Sequence, residues 1–276
     1  MPEFWQNGKA SITILDVLTH RSGLSLPGLI ADCSVWQDRQ AILDQLIEAQ
    51  PVHPRGTIMY AAYEYGWLLS EVFLRAAGCS LPKFIHEKIS TPLGLPAMQM
   101  GLAGRDAHSL AWTYWLGKKK MMVSKVNVAE NFEERNNSIE QIESLNPAVS
   151  LVSDAASLAA FYEFLVKGGV THAGERLISQ ETLARYTTRN VFGFDRSSNF
   201  LSSLGRGFMV GSKFVSSFGW WGTEECFGHL GGFSSIGFGD HATRIAGSIV
   251  TNGNRDFLDV IRRFFPLIGK LRKACW

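Results

Sequence analysis

Residues 227–238 read FGHLGGFSSIGF. Aromatic and branched residues recur between glycines and serines, a strand signal over the run. Glycine within a strand leaves the backbone open to close approach by whatever lies against it. The same alternation appears around 206–212, 216–222, 233–239 and 244–251. The last third of the chain therefore predicts an antiparallel meander. Asn252-Gly253 supplies a further turn, and an amphipathic helix follows from about Asp256 to Phe265.

Upstream the period changes from two to that of helices. Residues 12–19 predict a short helix capped by Ser11 or Thr13, with Ile14, Leu15 and Leu18 as its apolar stripe. A second helix spans 37–49, and a strongly apolar one spans 58–77 with Gly78 as its C-cap. A shorter one follows at 80–89. The span 97–146 has little periodicity, with a strand near Gln99–Leu102 and a polar helix or loop at 129–144. Residues 153–167 predict a helix with Ser153 as N-cap, and 179–186 another with Ser179 as cap. Helices first and a meander last read as α+β. About 12–190 is mainly helical and about 200–268 is sheet plus C-terminal helix. The length suits a single domain over 1–276 or two interleaved subdomains.

Hydrophobic residues make up 46% of the chain and charged residues 19%, enough for a sizeable core and too apolar for wholesale disorder. A formal net charge of +2 argues against nucleic acid or an anionic membrane as the main partner. Cys33, Cys79, Cys226 and Cys275 are too widely spaced for a metal knuckle, and the seven histidines form no metallohydrolase cluster, so neither a metal nor another cofactor is expected. The N-terminus has no apolar signal region and no run is long enough to span a membrane, which makes cytoplasmic the default expectation.

Three blocks carry chemistry. ITILDVLTHRSGL, residues 12–24, resembles the "LLTHTSGL" signature of the β-lactamase-related serine hydrolases, which include class C β-lactamases, D-alanyl-D-alanine carboxypeptidases and carboxylesterases. Tyr60-Ala61-Ala62-Tyr63 with the following Glu64-Tyr65-Gly66-Trp67 resembles that family's YxN motif and its helix in the esterase-like branch. Phe227–Phe238 is similar to that branch's His-x-Gly strand, which replaces Lys-Thr-Gly. Ser90-Thr91-Pro92-Leu93-Gly94-Leu95 and the stretch 148–182 resemble further family segments, in the right order.

The resemblance implies a β-lactamase/transpeptidase-like fold and acyl hydrolysis of a small-molecule ester or amide. It assigns proton transfer to Tyr60. It puts His229 where the family holds its third-motif cation, with Gly231 and Gly232 on the strand that lies along substrate and closes the oxyanion hole. Ala62 stands at the motif's Asn position, which removes an amide that helps hold a substrate amide and points toward esters. His20 reads as structural in this family, and Asp240 as a turn residue.

One element of the family's pattern is absent. The acylated serine belongs to a Ser-x-x-Lys motif well upstream of the "LLTHTSGL" block, and only Ser80-Leu81-Pro82-Lys83 has that spacing here. It follows the Tyr60 helix, where the family has no catalytic serine, so it is read as a coincidence. The expectation is a chain truncated before Ser-x-x-Lys and inactive as it stands. The competing reading is a family remnant that binds or interacts without turnover.

Overall fold

The computed structural model describes residues 1–276 except 121, 124, 125, 214, 215, 221, 222, 233 and 276. The described residues form two compact units: one from 1–86, 99–152 and 194–200, the other from 87–98, 153–193 and 201–276. The chain thus passes between the units more than once.

The first unit is mainly helical. Helix α1 (Ile14–Leu18) opens with a capping box: Thr13 accepts from the Asp16 amide, and Asp16 accepts from the Thr13 amide. The expected apolar stripe is reversed. Ile14 and Leu15 are exposed, while Asp16 and Val17 are buried. A five-residue helix makes too few turns for its apolar spacing to decide which face is buried. Its orientation follows Asp16 instead, which also accepts from Arg55 Nε at 2.7 Å. Burial works against that carboxylate's charge, but the Thr13 and Arg55 hydrogen bonds outweigh it and hold the carboxyl below its ordinary range.

Helix α2 (Arg39–Glu48) starts where Asp38 accepts from the Gln40 and Ala41 amides. Its C-terminal end is held by the fully buried Lys9, which donates to the carbonyls of Ile47 and Ala49. Ile42 and Leu46 pack with Leu29, Trp36 and Trp67, and the Trp36 indole N–H donates to Leu29 O at 2.7 Å. Burying each such aliphatic side chain contributes about 1.5–3 kcal/mol. Helix α3 (Ala62–Ala77) begins four residues later than the apolar run suggests. Ile58, Met59 and Ala61 are buried but lie ahead of the helix, their amides or carbonyls bonded to other segments. Gly78 closes α3 in the left-handed conformation at φ 66°. The expected helix at 80–89 is a short α-helix, Leu81–Ile85, running into a π-type turn, His86–Ser90.

The second unit is a six-stranded antiparallel sheet with helices. Helix α4 (Ala155–Val166) is capped by Asp154 rather than Ser153: the Asp154 carboxylate accepts from the Ser157 amide at 2.7 Å. Helix α5 (Gln180–Thr187) has Ser179 as its cap. The strands are β1 (Val191–Phe194), β2 (Leu201–Leu204), β3 (Met209–Val210), β4 (Cys226–Gly231), β5 (Ser235–Asp240) and β6 (Ile245–Val250), in the spatial order β6-β5-β4-β3-β2-β1. Helix α6 (Phe257–Ala274) follows.

Several expectations shift here. FGHLGGFSSIGF is not one strand but a hairpin, with β4 and β5 paired from Gly231 opposite Ser235 to Cys226 opposite Asp240. Phe233 lies outside the described residues. The strand expected at 216–222 is absent from its described part, where 217–218 form a turn, and 221 and 222 lie outside the description. β1 begins the sheet before residue 200, and its hairpin with β2 exposes Phe192, Phe194 and Leu201. Helix α6 runs nine residues past Phe265, through Pro266. The buried stripe Val260, Phe264, Phe265, Ile268 and Arg272 continues across the proline, and this packing outweighs the lost backbone donor.

The sheet has two packed faces. Phe227 joins Tyr162, Phe164 and Leu165 on the α4 side. Cys226, Ile236 and Phe238 join Phe218, Val260, Phe264 and Ile268 on the α6 side. Gly237 is what lets α4 sit so near: a Cβ there would stand 2.2 Å from Tyr162 Cε2.

Candidate active site

In the first unit, Tyr60 ends the extended stretch just before α3, and Ala62 is the first residue of that helix. Ala61, at the N-cap position, offers no side-chain cap. The Tyr60 ring lies 4.5 Å from the His20 ring, and its amide donates to Asp195 Oδ1 at 3.1 Å. Desolvation pushes the Tyr60 phenol well above its ordinary range, with further upward pushes from Tyr65, Tyr63 and Asp195. Tyr60 is therefore a protonated phenol in this setting, a donor first and a proton acceptor only beside a cation.

Glu64, one turn into α3, was not anticipated. It is buried, its Oε1 accepts from the Leu26 amide at 2.5 Å, and its Oε2 has no hydrogen-bond partner among the described residues. Burial raises its carboxyl above the usual range, against the opposing pull of the backbone hydrogen bonds. It borders a cavity of about 10 Å³ with His20, Ser22 and Tyr65, the size of a single water.

In the second unit, β4 carries His229, Gly231 and, at the turn, Gly232. Strand β3 pairs Met209 with Gly228 and Val210 with Phe227, so its ladder ends before His229. His229 is half-buried, and its Nδ1–H donates to the Leu230 carbonyl at 2.6 Å. Burial depresses the imidazole's pKa, against the raising effect of that bond. At the position where the family holds a cation, the ring is thus neutral, and its Nε2 carries the acceptor lone pair. Gly232 turns the chain at φ 51° toward β5, and the Ser235 hydroxyl donates to Gly231 O at 3.1 Å.

Tyr162 of α4 is a second residue that sequence reasoning missed. It is buried, and its hydroxyl takes a hydrogen bond from the His229 backbone. That bond favours the ionised phenol and is therefore donated by the amide N–H. Asp195 had a legible signal, the Asp-x-Ser of a side-chain turn: its Oδ1 accepts from the Ser197 amide and hydroxyl at 2.8 and 2.9 Å. Tyr60 and Ala62 thus belong to one unit, and His229, Gly231 and Gly232 to the other.

A mainly helical unit with a tyrosine set ahead of a long helix, and an antiparallel sheet carrying a His-x-Gly strand against helices, define a protein of the β-lactamase and penicillin-binding-protein fold. The chain belongs to the Beta-lactamase family, whose model matches residues 1–265. Esterase/beta-lactamase LipL of Mycobacterium tuberculosis is 26% identical over 280 aligned positions, covering 91% of this chain and 61% of LipL. A penicillin-binding-protein homolog from Caulobacter crescentus superposes with a TM-score of 0.84 at 27% identity, over all of this chain and 74% of that one. EstA from Arthrobacter nitroguajacolicus superposes at 0.80 with 24% identity, over 99% of this chain and 75% of EstA, a likeness of fold. Among the described residues no helix is long and apolar enough to cross a membrane.

Proposed function

We propose that these residues form the acid/base and oxyanion parts of an esterase-type acyl hydrolase. Once a cation beside it lowers its phenol, Tyr60 passes the proton between the acylating hydroxyl and the leaving alcohol. The Gly231–Gly232 backbone receives the carbonyl oxygen as it becomes an oxyanion. The observation that carries the reading is the neutral His229 at the third motif. With its Nδ1–H committed to Leu230 O, the neutral imidazole offers no positive charge to the carboxylate common to β-lactams, a partner that a simple ester does not require. Ala62 removes a second amide partner, and each such lost hydrogen bond costs about 1–3 kcal/mol, roughly ten- to a hundredfold in rate. LipL carries esterase in its name, and a family VIII carboxylesterase shares the fold at a TM-score of 0.80.

Ser80 does not complete this site. It is exposed and follows the far end of α3. Sixteen helical residues separate it from Tyr60, and at 1.5 Å per residue that is about 24 Å. No other serine here has a lysine three residues on. The nucleophile is therefore not assigned to any of the 276 residues, and a binding protein without turnover is the second reading, favoured by this and by the raised Tyr60 phenol.

The test pairs labelling with turnover. Residues 1–276 treated with a fluorophosphonate should show no stoichiometric adduct by intact mass, and a form that does acylate should hydrolyse p-nitrophenyl butyrate much faster than nitrocefin. An adduct on Ser80, or equal rates on the two substrates, would overturn the proposal.

A further inference from the structure

Three consecutive amides ahead of α3 each find an acceptor in another segment. Met59 N–H donates to His20 O at 2.9 Å, Tyr60 N–H to Asp195 Oδ1 at 3.1 Å, and Ala61 N–H to His20 Nδ1 at 3.3 Å. A fourth bond runs the other way, from the Arg196 amide to Ile58 O at 3.0 Å. The stretch is thus bonded as tightly as a strand, although it belongs to none.

His20 supplies both a carbonyl and a ring nitrogen to this clamp because of its backbone. Its φ is 52°, the left-handed region that favours glycine and asparagine. It leaves α1 through bonds of its own amide to Val17 O and the Arg21 amide to Asp16 O, at 3.0 and 2.7 Å. The ring then lies between two tyrosines, 4.5 Å from Tyr60 and stacked on Tyr65 at 4.8 Å. Both His20 and Asp195 are buried. Since Nδ1 accepts, the neutral ring holds its proton on Nε2. A buried histidine whose Nδ1 is committed to a backbone amide is poorly placed as a general base, and well placed to hold its neighbour still.

We infer that His20 and Asp195 are positioning residues that fix the main chain of Tyr60, and with it the direction of the phenol, for proton transfer. The inference rests on the reading of Tyr60 as the proton-transfer residue. It also gives a reason for the histidine of the LTHRSG block.

The test uses residues 1–276, labelled with ¹⁵N and with ¹³C-tyrosine. His20→Leu removes the Nδ1 acceptor; His20→Asn keeps a side-chain acceptor and tolerates the left-handed backbone. Native-state hydrogen exchange compares Ala61 with Leu68 inside α3, and the Tyr60 ring shift reports the phenol. In His20→Leu, Ala61 should exchange about tenfold faster relative to Leu68, and the Tyr60 ring resonance should move. His20→Asn should restore the Ala61 protection. Uniform loosening of Ala61 and Leu68, or an unmoved Tyr60 ring, would overturn the proposal. Should His20→Leu fail to fold, the unaltered protein decides: a long-range ¹H–¹⁵N spectrum should find the His20 proton on Nε2, and a proton on Nδ1 refutes the clamp. None of these readouts involves turnover. If the clamp holds and Tyr60→Phe leaves ester hydrolysis by an acylating form intact, the reading of Tyr60 fails and the positioning of its backbone stands.

Discussion

Replacing Gly66 by alanine should destabilise the first unit, although alanine is the better helix former. Gly66 sits in α3, and a Cβ there would stand 1.7 Å from Asn146 Oδ1 and 3.1 Å from Ala148 Cβ. Asn146 is fully buried. Its Nδ2 donates to Tyr63 O at 3.0 Å, and its Oδ1 accepts from the Ala148 amide at 2.9 Å. The new methyl must displace that amide and break both bonds. Each break leaves a buried partner unsatisfied at about 1–3 kcal/mol, so the two cost about 2–6. The gain in helix propensity returns only about 0.5–1 kcal/mol. The net loss is about 1–5 kcal/mol, a fall in Tm of roughly 2–10 °C for a chain of this size. Thermal and urea unfolding measure it. A double-mutant cycle isolates the cause: with Asn146→Ala already present, most of the obstruction is gone and Gly66→Ala should cost less than about 1 kcal/mol. Additive effects, or a stabilised single variant, would refute the reasoning.

Two further outcomes follow from buried charge. His229 and His241 are both depressed by burial, His241 against the opposing pull of Glu225 and Asp240. Both stay neutral in the fold while the unfolded chain binds protons below about pH 6.5, so this stability is present above that pH and is lost as pH falls through it. Melting temperatures from pH 7.5 to 5.5 should fall, and less so in His241→Asn; equal slopes would count against the assignment. Arg272 Nε donates to the fully buried Asp240 at 2.8 Å, so Arg272→Met should cost about 3–5 kcal/mol by stranding the carboxylate, with Asp240→Asn recovering part of it. A loss under about 1 kcal/mol would contradict that.

The α+β class, the order of the helices and the antiparallel meander were legible because they rest on periodicity and on motif blocks. The boundaries that failed did so for local reasons. Ile58–Ala61 has the apolarity of a helix but spends its amides on His20 and Asp195, residues 41 and 135 positions from their partners. Helix α1 turned its polar face inward because Asp16 binds Thr13 and Arg55. Helix α6 ran through its proline because the stripe from Val260 to Arg272 stays buried on both sides of it. In the site, residue types were readable and their charge states were not. Whether His229 is a cation depends on the bond to Leu230 O and on burial, and neither leaves a mark in a pattern of letters. Tyr162 reads as one more aromatic on an apolar helix until its hydroxyl is seen at the His229 amide.

The central claim is that Tyr60 and His229 are ester-binding residues. The most direct measurement is an NMR titration of residues 1–276, with ¹³C-tyrosine and ¹⁵N-histidine, by p-nitrophenyl butyrate and separately by nitrocefin. Each of the Tyr60 and His229 ring resonances should shift saturably with the ester, and at lower concentration than with nitrocefin. A ring that responds to neither, or that favours nitrocefin, would contradict it.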